Sequence, residues 1–274
     1  MDEIIHLAYQ EDLAKTGDVT SAACIDAKHK SKANIVYRQP AIICGIKVLR
    51  RIVELYAPKV KLQEIKNDSE AVSAGDIAAI LRGNTQQILA IERIALNFMQ
   101  QLSAVASNTF DLKRMISHTR TQLLDTRKTL PGMRVLQKYA VKCGGGQNHR
   151  MGLHDMVMIK DNHIAAAGSI TAAVRAVQAA HNGKYKIEVE CDTLEQVSEA
   201  IACGGIDVIL ADNMAPELLT QVVQMANGKA LVEASGGITK DNIKAIAETG
   251  VDFISMGALT HSIKAIDIGL DFES

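Results

Sequence analysis

A chain of 274 residues with 47% hydrophobic and 22% charged side chains buries a sizeable core, as one large domain or two modest ones. Its formal charge of −1 supplies no basic field for nucleic acid, the absence of tryptophan and 3% aromatics leave little for base stacking, and no apolar run approaches a membrane span. The acidic, amphipathic start MDEIIHLAYQEDLAK is unlike a signal peptide, and five cysteines without a C-x-x-C pair (Cys24, Cys44, Cys143, Cys191, Cys203) fit the reduced thiols of a cytoplasmic protein.

In chain order, KANIVYRQPAIICG (32–45) reads as strand material and IKVLRRIVELYA (46–57) as an amphipathic helix. KVKLQEIKNDSEAVSAGDIAAILRG (59–83) reads as strands and turns, so the first hundred residues look like a separate α+β domain. A helix follows, TQQILAIERIALNFMQQLSAVAS. At 100° per residue it gathers Ile88, Ile91, Ala95, Phe98, Met99 and Leu102 on one face and Arg93, Asn97, Gln100 and Gln101 on the other. Glu92 falls inside the apolar arc and needs a partner if buried. QLLDT (122–126) and MVMIKD (156–161) read as strands. A regular alternation then sets in: strands KIEVEC, DVILAD, ALVEASGG and DFISMGA start at 186, 207, 230 and 252, with glycine-stopped helices between them. Repeated βα units point to a parallel α/β barrel, with an open doubly wound sheet as the competing architecture.

The strand ends carry the chemistry. They read Asp125-Thr126-Arg127-Lys128, Lys160-Asp161, Glu190, Asp212, Ser235-Gly236-Gly237 and Gly257-Ala258. Each alone is an ordinary loop charge. Together they ring the mouth where α/β barrels keep their active sites. Residues 120–163 hold eight Lys/Arg against three aspartates in a chain that is nearly neutral. Arg134, Lys138 and Lys142 fit one helix face, but Arg127, Lys128, Arg150 and Lys160 do not, and they call for a ligand with several negative charges. In EASGGIT a strand runs into two glycines and a helix start with Thr239 as cap. This is either a phosphate cradle or a plain turn. Glu190 and Asp212 suit Mg²⁺, sugar hydroxyls or a cationic transition state.

The stretches DTRKTLPGMR, KYAVKCGGGQNHRMGLHDMVMIKDNHI, EVEC, LADN, EASGGIT and GALTHSIKAIDIGLDF, with the earlier EDLAKTGDVTSAACI, resemble the quinolinate phosphoribosyltransferase family (carboxylating nicotinate-nucleotide pyrophosphorylases) over nearly the whole chain. The resemblance implies an N-terminal α/β sandwich domain, 1–105 joined by 265–274, and an incomplete, seven-stranded α/β barrel over 106–264. It implies transfer of phosphoribose from phosphoribosyl pyrophosphate to quinolinate with loss of CO₂, a step of NAD biosynthesis needing Mg²⁺, in a homodimer with shared sites. It assigns quinolinate to Arg127, His149, Arg150 and Lys160 with Arg93 of the neighbouring subunit. Phosphoribosyl pyrophosphate falls to Lys128, Glu190, Asp212, Ser235, Gly236, Gly237, Gly257 and His261, and the metal to Glu190 and Asp212. Lys128, Lys160, Glu190 and Asp212 would carry the chemistry, and Arg38 would be a second loan from the neighbour. Leu130, His154 and Met256 depart from the family's usual residues, none at a charge contact. The rival readings are a paralogous phosphoribosyltransferase-like protein with another substrate and a lyase forming a Schiff base on Lys160.

Overall fold

A computed structural model describes residues 1–273. The chain forms two compact units. The first comprises Met1–Phe110, Leu130–Gly145 and the residues from Leu259 onward; the second comprises Asp111–Thr129 and Gly146–Ala258. The segment 130–145, expected within an unbroken 106–264 barrel domain, groups with the first unit.

Helices α1 (Asp2–Leu13) and α2 (Val19–Cys24) open the first unit. Asp18 caps α2 by accepting from the Thr20 and Ser21 amides. Strands β1 (Lys30–Tyr37) and β2 (Ala41–Ile42), helix α3 (Ile46–Tyr56), strands β3 (Val60–Glu64), β4 (Ala71–Val72) and β5 (Ile77–Asn84), and helix α4 (Thr85–Met115) follow. Helix α3 buries Ile46, Val48, Leu49, Ile52 and Val53, the stripe that its sequence spacing predicts. In α4 the whole predicted face is buried, while Arg93 and Asn97 are exposed. Glu92 is half-buried with Arg93 3.9 Å away. At the centre of the unit the Tyr37 hydroxyl and Ser103 Oγ are 2.8 Å apart, tying β1 to α4.

The second unit is built on β6 (Gln122–Leu124), β7 (Val157–Ile159), β8 (Ile187–Cys191), β9 (Val208–Asp212), β10 (Leu231–Ser235) and β11 (Phe253–Ser255). All their pairings are parallel, in the order β6-β11-β10-β9-β8-β7. Successive strands lie side by side and the last returns to the first, which is the order of a barrel open between β6 and β7. Six strands form ladders, not the seven expected. The seventh place is held by Gln147 alone, in a parallel bridge to Leu124. Gln147 donates to Leu123 O and accepts from the Asp125 amide. The pairing stops there because the next backbone donor, the His149 N–H, goes to the Asp125 carboxylate instead.

Helix α5 (Arg134–Cys143) precedes β7, and α6 (Asp161–Ala167), α7 (Ile170–His181), α8 (Leu194–Cys203), α9 (Pro216–Ala226) and α10 (Ile243–Glu248) connect the later strands. Their starts carry ordinary signals: Ser169 caps α7, Thr193 and Gln196 form a capping box on α8, and Pro216 opens α9. Finally β12 (Ile268–Phe272) pairs antiparallel with β1, completing the first unit's sheet in the order β12-β1-β5-β3. Among the described residues no helix is long and apolar enough to cross a membrane.

Candidate active site

Side chains alternate along a strand, so residues two apart share a face. Working back from the C-terminal strand ends, the inner face of the second unit therefore carries Lys160 above Met158, Glu190 above Glu188, Asp212 above Leu210, and Ser235 above Glu233. With one exception, Glu188, these residues line a single cavity of about 450 Å³, joined by Ser255, His149, Arg150 and the loop Thr126-Arg127-Lys128. Every residue of this lining belongs to the second unit.

Each functional side chain is placed by its local backbone. Strand β7 ends at Ile159 and not at Asp161 as read from sequence, because Lys160 already stands at the N-cap of α6. Its amide donates to His163 Nδ1 at 2.9 Å, and Asp161 sits in the first turn, where the helix dipole favours a carboxylate. The buried Asp125 accepts from the His149 amide at 2.9 Å and from the Asn148 side chain, which pins the bridging segment at the barrel gap. Arg150, 9% exposed, donates to Met156 O and lies against Met158 Sδ. Burial, and then the neighbouring Arg127 charge, pull its guanidinium below its ordinary pKa. Two cations so crowded favour an anion between them.

In the same cavity Lys160 is ion-paired with Glu190, and Asp212 accepts from Asn213 Nδ2 at 2.6 Å. The glycine pair after Ser235 has a left-handed backbone, with φ of +84° and +61°. A Cβ on Gly236 would stand 2.3 Å from Asn213 Oδ1, so only glycine fits. Thr239 is not the cap expected of it. Its amide donates to Asn242 Oδ1, and α10 begins only at Ile243.

The structure thus gathers Arg127, Lys128, His149, Arg150, Lys160, Glu190, Asp212 and Ser235 around one cavity. Gly236, Gly237 and Gly257 are not part of the lining; the first two shape the turn beyond Ser235. Arg93 and His261 belong to the first unit. There Arg93 lies on a shallow groove with Glu11, Asp12, Asn97, Gln101 and Met133, and His261 Nδ1 is 3.1 Å from Ser262 Oγ. Arg38 is ion-paired with Asp271 of its own chain. Sequence reading missed Glu188, Glu233 and Ser255. The signal for the two glutamates was present, since each is a charge two residues before a chosen strand end in an otherwise apolar run.

Comparison with known proteins agrees with this geometry. The C-terminal domain family of quinolinate phosphoribosyl transferase matches residues 105–271, and the N-terminal domain family matches residues 18–103. A Bacillus subtilis protein, a probable nicotinate-nucleotide pyrophosphorylase [carboxylating], is 40% identical over 99% of this chain and 93% of its own. The chloroplastic enzyme of that name from Arabidopsis thaliana is 39% identical over 99% of this chain and 82% of its own. The crystal structure of nicotinate-nucleotide pyrophosphorylase from Ehrlichia chaffeensis superposes with a TM-score of 0.95 at 38% identity, covering 100% of this chain and 98% of that one. The Francisella tularensis enzyme gives 0.95 at 40% identity, over 99% and 95%. With both domain families matched end to end and their fold reproduced, the chain belongs to the quinolinate phosphoribosyltransferase family.

Proposed function

We propose that this protein transfers the phosphoribosyl group of phosphoribosyl pyrophosphate to the ring nitrogen of quinolinate and releases CO₂, forming nicotinate mononucleotide and pyrophosphate in NAD biosynthesis. The observation that carries the reading is one cavity that gathers the cations Arg127, Arg150 and Lys160 with the carboxylates Glu190 and Asp212, in a chain of this family. The two quinolinate carboxylates pair with the cations, which leaves the ring nitrogen for the side of Glu190 and Asp212. There Glu190 and Asp212 stabilise the positive charge that grows at the ribose carbon as pyrophosphate leaves. Lys128 and the turn Ser235-Gly236-Gly237, with Gly257 after β11, hold the phosphates. Once the nitrogen is bonded to ribose, the pyridinium accepts the electron pair left as CO₂ departs, so no separate electron sink is needed.

Mg²⁺ fits this donor set. Glu190 and Asp212 offer hard oxygen ligands on adjacent strands, and a cation with only two protein carboxylates completes its shell with phosphate and water. Bound there, the ion would neutralise the pyrophosphate leaving group. We further propose that the protein works as a homodimer in which Arg93 of the partner completes the quinolinate site, and that it is cytoplasmic, which its five free cysteines support. The Schiff-base lyase is disfavoured by one contact: Lys160 Nζ is engaged by Glu190 and does not stand free in the cavity.

The test is to incubate the protein with Mg²⁺, phosphoribosyl pyrophosphate and either quinolinate or nicotinate. Quinolinate should yield nicotinate mononucleotide and CO₂, and CO₂ should not appear when phosphoribosyl pyrophosphate is withheld. Nicotinate lacks one of the two carboxylates and forfeits a charge pair in the pocket, which costs on the order of 2–5 kcal/mol, so kcat/KM should fall by at least about 30-fold. Comparable values for the two acids would sink the proposed site.

A further inference from the structure

Two residues before Glu190 and Ser235 on their strands, Glu188 and Glu233 meet His149, and each of the three places one ring-nitrogen or carboxylate atom within 4.8 Å of the other two. Glu188 is fully buried and Glu233 is 2% exposed. The His149 Nε2 atom lies 3.0 Å from Glu188 Oε2 and 3.5 Å from Glu233 Oε2. These distances suit ion pairing, yet neither Glu188 oxygen, nor Oε1 of Glu233, has an aligned hydrogen-bond partner. Two ionised carboxylates this deep, both acceptors only, need a donor between them.

The imidazole does not supply that missing proton. The Arg150 amide donates to His149 Nδ1 at 2.7 Å, so Nδ1 is an acceptor and the ring's hydrogen sits on Nε2. An imidazolium would need a second hydrogen on Nδ1, facing that N–H. A metal ion would need the Nε2 lone pair. Both alternatives cost the Arg150 contact.

We propose that Glu233 is protonated in the working enzyme, donates that proton to the Glu188 carboxylate, and forms with it a positioning pair that holds His149 neutral under the anion pocket. The proposal rests on the reading of the cavity as the quinolinate site. Burial, and next the Glu188 charge, push the Glu233 carboxyl up to about 8, which supports it. The groups facing Glu233 are Glu188 from β8, Ser255 from β11 and His149 from the bridging segment, with Arg150 near enough to feel the Glu188 charge. His149 Nδ1 is thereby taken by the Arg150 amide and its Nε2–H faces the two glutamates, so the ring offers the substrate a surface and no acceptor. Ionisation of Glu233 would add a second negative charge below a doubly negative substrate and weaken its binding.

The experiment is the pH dependence of KM for quinolinate in the full-length protein and in Glu233→Gln and Glu188→Gln. In the parent, KM should rise above about pH 8, by up to about tenfold per pH unit. Glu233→Gln, neutral at every pH, should abolish that rise. Glu188→Gln removes the like charge, so the rise should begin at lower pH. An unchanged alkaline rise in Glu233→Gln would overturn the proposal, since a purely structural glutamate predicts no change in the profile. Infrared titration of the parent covers the case where a variant does not fold. A carboxylic-acid carbonyl band should persist through neutral pH, and its absence there overturns the proposal. If the parent fails to use quinolinate at all, the functional reading falls, and the infrared titration still decides the proton.

Discussion

At the scale of single residues, the turn after β10 shows how backbone geometry reaches the chemistry. Gly236 has φ of +84°, and a Cβ there would meet Asn213 Oδ1 at 2.3 Å and the Asn213 backbone nitrogen at 2.9 Å. Asn213 in turn donates to Asp212. Gly236→Ala should therefore cost about 1–2 kcal/mol of strain, displace Asp212 and lower kcat/KM sharply. Gly237→Ala carries similar strain at φ +61°, but its nearest neighbour is 3.8 Å away, so stability should fall comparably while activity is largely kept. Urea denaturation and steady-state kinetics on both variants separate strain from displacement; equal losses of activity would disconnect Asn213 from the site. This contrast was not legible in EASGGIT, which shows two adjacent glycines and no sign of which one faces Asn213. The charged residues were legible because charge at a strand end has no packing role. Glu188 and Glu233 were passed over because a glutamate inside an apolar strand stands out only when the alternation is followed inward from Glu190 and Ser235.

At the scale of elements, the six ladder strands were legible because each is a short apolar run bounded by a turn, and the α3 and α4 stripes because their period is helical. Helices α6 and α7 were not assigned from sequence. Their alanine-rich run shows little contrast between faces, although Ser169 before α7 and the left-handed Asn182 after it are ordinary stop and start signals. The switch from β7 to α6 has a testable consequence. His163 Nδ1 is the acceptor for the Lys160 amide, so it fixes the residue from which the Lys160 side chain enters the cavity. His163→Ala should leave that amide without its acceptor and raise KM for quinolinate about fivefold, the equivalent of ~1 kcal/mol. His163→Asn, which keeps an acceptor at the same helix position, should restore most of the loss. If alanine and asparagine behave alike, the contact does not position Lys160.

At the scale of the whole molecule, the division of the chain was only partly legible. Helix α5 follows β6 as a barrel helix would, yet the segment 130–145 groups with the first unit, and nothing in PGMRVLQKYAVKCG announces it. The proposed shared site is argued from the same division. The cavity is lined entirely by the second unit, whereas Arg93 lies in the first, on the exposed face of α4 with its side chain 61% exposed. Among the described residues its ion pair is the 3.9 Å contact with the adjacent Glu92. An exposed pair of this kind holds a side chain weakly, which leaves the guanidinium available to a carboxylate ligand. In a two-fold dimer the same contact is made twice, so each chain lends one arginine and receives one. Arg93→Ala and Arg127→Ala should each abolish most activity on their own. Their mixed dimer should contain one site with both arginines intact and one lacking both. With equal amounts exchanged at random, about half of the dimers are mixed and about a quarter of all sites recover. Co-refolding the two variants, verifying mixed dimers by tag-based separation and measuring activity per site checks this. Activity that stays at the level of the parent variants, although mixed dimers have formed, would place Arg93 in its own chain's chemistry or in none and end the shared-site proposal.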